Sequence, residues 1–340
     1  MGELCTCGNT VSSGFFGLFL AISVGAVSIP PLEVLQTLLG SGTSVKWERI
    51  IWNIRLPHAL AAIVAGTGLA VAGVAMQSIL RNPLASPFTL GISSAGAFGA
   101  AVSIILLGAG RIQSSVANPV TISNPYLTTI VAFIFCMLAT AVILIISHVK
   151  GASPEVMVLT GVALSSLFSA GVMFLQYFSN DTQLAAVVFW TFGDVGRATW
   201  DTLPFMALVV ACATLYFVFN RWNYNAIDAG DETAQGLGVN VVRVRLIGMT
   251  VAAIVSAVIV ALLGIIGFVG LVCPHMVRRI VGDDQRYLIP GSAVAGAILL
   301  LASDTVARII VAPYILPVAV LTAFMGAPIF IYLLFRGYKR

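Results

Sequence analysis

RLPHALAAIVAGTGLAVAGVAMQSILRNPLASPFTLGISSAGAFGA, residues 55–100, decides the fold class. From Leu56 to Leu80 it carries small and aliphatic side chains with hardly a polar interruption. A helix needs about 20 such residues to cross the hydrocarbon core of a bilayer. Gly66, Gly68 and Gly73 fall inside that run, where small residues let helix backbones approach one another. Pro83 and Pro87 then remove amide donors, so the helix breaks and the freed carbonyls must find partners in protein or in a cavity. Packing alone accounts for any one of these glycines or prolines, while the broken helix marks a possible transport path.

The rest of the chain has the same character. Of 340 residues, 59% are hydrophobic and only 9% charged, and the mean hydropathy is +1.03. Soluble domains carry about 25% charged residues, so this is an all-α polytopic membrane protein. Apolar runs bounded by Pro, Gly or charge fall at 11–29, 56–80, 89–109, 126–147, 156–178, 203–220, 246–269, 271–281, 287–310 and 317–335, about ten helices in one transmembrane domain, 1–340. The run 271–281 is too short to cross alone and completes a path begun by its predecessor. FWTFGDVGRATWD, 189–201, reads as part of a short interfacial helix and loop. No basic residue precedes the first run, which makes it a poor cleaved signal peptide.

Alternating the spans and counting Lys and Arg gives eleven on one side (Arg81, Lys150, Arg221, Arg243, Arg245, Arg278, Arg279, Arg286, Arg336, Lys339, Arg340) and six on the other (Lys46, Arg49, Arg55, Arg111, Arg197, Arg308). The positive-inside rule then places both termini in the cytoplasm. The scattered basic residues form no nucleic-acid-binding face.

The main polar interruption is RWNYNAIDAGDETAQGLGVNVVRVR, 221–245, on the cytoplasmic side. It is longer than a connector needs to be and retains helix-forming residues, so it reads as a short helix pair displayed to a soluble partner; a merely long loop is the plain alternative. A faint internal echo accompanies it. Arg55 opens one long apolar helix ending at the NPLASP break, and Arg245 opens another, running oppositely, that ends at GFVGLVCPH, 267–275.

Asp304 and Arg308 stand four apart on one apolar helix, with the acid N-terminal, the favourable order for an ion pair. Ser153, Pro154 and Glu155 begin the fifth span; the plain reading has Ser153 capping the helix, Pro154 in its first turn and Glu155 complementing its dipole. His58, His148 and His275 lie on different segments, without metal-ligand spacing. His275 with Arg278 and Arg279 suggests a positive lip facing lipid phosphate or a partner. Cys5-x-Cys7 lacks a second ligand pair, and the remaining cysteines sit in apolar runs as small hydrophobes. No metal, cofactor or catalytic constellation is expected, and no G-x-x-x-x-G-K-[ST] phosphate loop is present, so ATP chemistry by that route belongs to a partner.

RLPH, GTGLAVAGVAMQ and RNPLASPFTLG, followed in order by GVAL (161–164), IDAGDETAQGLGV (227–239), GIIGFVGLVCPHMVRRIVGDDQRYLIPGSAVAGA (264–297), DTVARII and LPVAVLTAFMGAPIFIYLL, resemble the permease subunits of type II ABC importers for iron–siderophore complexes, haem and cobalamin, the FecCD/BtuC-like family. The likeness runs from about residue 20 to the end. It implies a non-catalytic translocation subunit in a prokaryotic inner membrane, paired with a second permease copy, identical or similar. Cytoplasmic ATPase subunits would dock on the 221–245 loop through Asp228, Asp231, Glu232, Ala234, Gly236, Leu237 and Gly238. An extracytoplasmic binding protein would meet Arg55, His58 and Arg308, where His58 replaces the arginine usual in the family. Ser153, Pro154 and Glu155 would lie at the cytoplasmic gate. A secondary transporter driven by an ion gradient is the alternative, disfavoured because the central helices hold almost no ionisable residues.

Overall fold

The computed structural model describes residues 17–25, 29–42, 44–111, 121–122, 124–312 and 314–337. Cys5-x-Cys7 and both chain ends lie outside them. The chain is a bundle of helices: α1 (17–23), α2 (Pro31–Leu38), α3 (Val45–Ile79), α4 (Ile92–Leu106), α5 (Pro125–Val149), α6 (Pro154–Tyr177), α7 (Asp181–Thr191), α8 (Leu203–Phe219), α9 (Arg221–Asp228), α10 (Asp231–Gly236), α11 (Val241–Leu263), α12 (Val269–Val281), α13 (Gln285–Ala307) and α14 (Val318–Gly337). One two-residue antiparallel ladder, Gly110–Arg111 with Thr121–Ile122, interrupts them. Among the described residues, α3, α5, α6, α11 and α13 are each long and apolar enough to cross a membrane, and α8 with α9 forms a sixth path bent by 59°. Among the described residues, α4 and the Val318–Tyr332 part of α14 are shorter apolar helices.

The centre of the bundle is α3, buried on nearly every side. Its alanines and glycines make this possible: a Cβ on Gly66 would lie 2.2 Å from the Gly296 carbonyl oxygen of α13, and one on Gly73 would lie 1.8 Å from the Gly270 carbonyl of α12. Lipid is as apolar as leucine, so this fit, rather than hydrophobic burial, holds the helices together. Ile79 meets Arg245, and Gly68 meets Val255 and Ile259, so α3 and α11 run antiparallel. Gly66 against Gly296 and Ser78 against Gln285 give α3 and α13 the same relation. By contrast, α5 and α6 turn many large side chains outward, among them Ile130, Leu159, Leu167 and Phe174.

Arg55 does not open its helix. The helix begins at Val45 and passes through a π-turn at Ile51–Arg55. Lys46, Glu48 and Arg49 mask the periodicity there, but Ile51 packs into a small cluster with Ile22, Ile29 and Val34 that extends the helix beyond the apolar run. The expected helix near 189–201 is centred earlier, at α7, which starts from a capping box between Asn180 and Gln183. Both expected breaks occur. After α3, Arg81 adopts φ +46° and Gly91 φ +78°; after α11, Gly264 adopts φ +84° and Phe268 φ +66°.

Candidate functional site

The candidate residues gather at two opposite ends of α3. At the Ile79 end, the expected helix pair occupies 221–236, as α9 and α10, while 241–245 is the first turn of α11. Gly230, at φ +121°, turns the chain between α9 and α10, and Gly238, at φ +81°, turns it towards α11, whose N-terminus is capped by the Asn240 side chain. Ala234 is fully buried against Ala226, Ile227 and Val241, while Glu232, Gly236, Leu237 and Gly238 are exposed. Leu237 leaves 70% of its surface open, and no atom comes within 4 Å of a Cβ built on Gly236 or Gly238.

The two aspartates of the pair bond back to the bundle, although Asp228 stays exposed and Asp231 partly so. Asp228 accepts from Ser78 Oγ at 3.2 Å and Gln285 Nε2 at 2.8 Å. Asp231 receives a two-pronged bond from Arg245, at 2.8 and 2.7 Å, and approaches Arg81 at 3.9 Å. Arg245, 2% exposed, also donates to the carbonyls of Ile79 at 3.1 Å and Ala152 at 3.5 Å. Ala152 is buried at φ +57°, beside Gly151 at φ +73°, in the turn between α5 and α6. Ser153 occupies the N-cap position of α6 and Pro154 its first turn, but the Ser153 hydroxyl donates to the Glu155 carboxylate rather than accepting from a backbone amide, a correction to the simple capping reading. The side chain thus satisfies an exposed acid in place of the helix end.

Nearby, His275 Nε2 lies 2.9 Å from the Pro83 carbonyl, and Arg278 pairs with Asp283 at 2.8 Å and donates to Gln77 Oε1 at 3.1 Å. The positive lip is therefore largely tied to its own chain. Asp284 caps α13 through the Arg286 amide and pairs with the Arg286 guanidinium. Hydrogen bonds from Arg286 hold its carboxyl well below the usual carboxylate range, helped by Asn225.

The other end of α3 opens into a cavity of about 1050 Å³ whose walls include Arg55, His58, Tyr126, Trp190, Asp194, Arg197, Asp304 and Arg308. This is at the upper end of small-molecule pockets, about 300–1,000 Å³. Arg308 and Asp304 form the expected pair at 2.7 Å, 7% and 4% exposed. Arg55, 6% exposed, donates to the Ser23 carbonyl at 2.9 Å and to that of Ile22. His58 is half-buried. Arg197 is spent on the carbonyls of Phe189, Trp190 and Phe192, which fixes the 189–197 loop. That loop presses on the break after α11, since a Cβ on Gly193 would come within 2.3 Å of the Ile265 carbonyl oxygen. Among the described residues, no group of three or more His, Cys, Asp or Glu could hold a metal ion.

A family model described as the FecCD transport family matches residues 14–336. The chain belongs to this family. FecCD relatives cover nearly its whole length. A provisionally named ABC transporter permease protein of Methanocaldococcus jannaschii is 53% identical, over 96% of this chain and 93% of its own. The hemin transport system permease protein HmuU of Yersinia pestis is 37% identical, over 95% of each chain. The Fe(3+)-citrate import system permease protein YfmE of Bacillus subtilis is 36% identical, over 93% of this chain and 90% of its own. The fold is also similar to that of a provisionally assigned metal-chelate type ABC transporter in an inward-facing conformation, with a TM-score of 0.83 at 28% identity, over 96% and 98% of the two chains.

Within this FecCD fold, Asp228, Asp231, Glu232, Ala234 and 236–238 lie on one helix pair, and Arg245 links Asp231 to Ala152, the residue before Ser153 to Glu155. Arg55, His58 and Arg308 are brought together at the far end. Pattern reading missed Arg245, Ser78, Gln285, Asp194 and Arg197. Arg245, expected to open an apolar helix, lies one turn inside α11, which starts at Val241, and there an arginine must either reach water or find buried acceptors.

Proposed function

We propose that this chain is the membrane-embedded translocation subunit of an ATP-driven, binding-protein-dependent importer that moves a metal chelate such as a ferric complex or haem. The observation that carries the reading is the α9–α10 pair: a fixed helical platform between membrane spans that leaves Leu237 exposed. An apolar anchor on a short helix suits a groove in a soluble partner, here the ATPase subunits. The side holding this platform is the cytoplasmic one, with both termini, and 153–155 lies at the gate beside it. The cavity at the opposite end receives substrate from the binding protein. Arg55 and Arg308 are too buried to serve as exposed docking contacts; with His58 they contribute to the electrostatics of the cavity mouth, where charge steers association. The outward apolar faces of α5 and α6 meet lipid and a second permease copy, identical or similar. The chain itself is non-catalytic and needs no cofactor.

The test is reconstitution in liposomes with the ATPase subunits and binding protein, using ferric citrate and haem as probes. ATP should drive accumulation of at least one probe, and removing nucleotide should stop it under any imposed ion gradient. Uptake driven by a proton or sodium gradient without nucleotide would establish the secondary-transporter alternative.

A further inference from the structure

The platform is joined to the transmembrane core by two polar legs, and both reach the same point. Asp228 bonds Ser78, and Asp231 is gripped by Arg245, whose Nε donates to the adjacent Ile79 carbonyl. Gln285 braces the first leg by donating to both Ser78 and Asp228. The second leg extends further, because the same guanidinium reaches the Ala152 carbonyl in the turn before α6. The left-handed backbone at Gly151 and Ala152 folds this turn back, with the Ala152 amide donating to Ser147 at 2.7 Å. One buried side chain therefore contacts α10, the end of α3 and the α5–α6 turn.

We propose that Arg245 is a positioning residue for coupled transport: it makes α10, the 150–153 turn and the end of α3 move as one body, so that a partner's displacement of α10 reaches the turn directly. The guanidinium suits this role because its planar fork can hold a carboxylate with two parallel bonds while Nε serves a third acceptor; a lysine offers one point charge and cannot span all three groups. Around this contact Glu232, Gly236 and Leu237 are exposed, and nothing lies within 4 Å of a Cβ built on Gly236. This inference rests on the reading of α9–α10 as the ATPase platform, and it adds the route by which the platform's motion is transmitted.

The experiment uses the reconstituted permease with its ATPase subunits and binding protein. In Arg245→Lys and Arg245→Gln, the ATPase subunits should remain bound and continue to hydrolyse ATP. Chelate taken up per ATP hydrolysed should fall by about tenfold, within the range of coupling between linked sites. Independently, spin labels at Glu232→Cys and Lys150→Cys in a cysteine-free background should hold one separation with and without a non-hydrolysable ATP analogue, and Arg245→Lys should make that separation differ between the two states. Unchanged uptake per ATP overturns the proposal, as does loss of ATPase binding in the variants, which would make the pair part of the docking surface. If neither variant folds, a change in label separation in the otherwise unsubstituted chain still overturns it. Failure of the functional reading would look different, with no ATP-driven uptake by the unsubstituted complex.

Discussion

Replacing Leu237 with arginine tests the platform directly. Full burial of a leucine is worth about 1.5–3 kcal/mol. Because 70% of this side chain is open in the isolated chain, a partner can recover about 1–2 kcal/mol, or about 5- to 30-fold in affinity. Arginine forfeits that gain and brings an unpaired charge into an apolar groove, a further penalty of about 1–3 kcal/mol. Affinity for the ATPase subunits should therefore fall at least about thirtyfold. Fold stability should change by no more than about 0.5 kcal/mol, as for other exposed substitutions, since no core residue is touched. Binding of the purified ATPase to the permease in nanodiscs, read beside thermal unfolding of the permease alone, separates the two effects. A dissociation constant within twofold of the unsubstituted protein would refute Leu237 as the anchor.

Other expectations follow from packing and charge. Gly73→Ala sets a methyl group against the Gly270 backbone, where no rotamer change can relieve the clash, and should destabilise the permease by about 1–3 kcal/mol or more; Gly267→Ala, which meets nothing within 4 Å, should not, and equal unfolding temperatures for the two would count against the close crossing. The depressed Asp284 carboxyl stabilises the fold when ionised. That contribution is present above the free carboxylate's pKa of about 3.9 and is lost as pH falls through the lower folded value. Asp284→Ala should thus lower the unfolding temperature at neutral pH and cost progressively less in acid; a penalty independent of pH would refute the assignment.

Much of this protein was already legible along the chain. The long apolar runs fixed a helical membrane protein, because hydrocarbon leaves a spanning backbone few other ways to satisfy its hydrogen bonds. The ordered motifs from RLPH to LPVAVLTAFMG pointed to the family, and the positive φ values at Arg81, Gly91, Gly264 and Phe268 fall at the breaks that those motifs contain. The polar stretch 221–245 announced a displayed helix pair, since a polar segment with helix-forming residues and Leu237 has no reason to enter lipid. The sequence could not say which way the charges of that stretch face. Asp228, Asp231 and Glu232 look alike in a row, yet the first two bond back to Ser78 and Arg245, with Asp228 still open to solvent. Arg55 and Arg308 likewise read as surface charges at helix ends, and the fold buries both. The physical reason is common to the buried arginines, Arg55, Arg245 and Arg308: a charge can leave water only where several distant segments supply acceptors or a counter-ion at once. For Arg245 those groups come from Ile79, Ala152 and Asp231, residues that only the packing of α3 and α10 and the α5–α6 turn brings together.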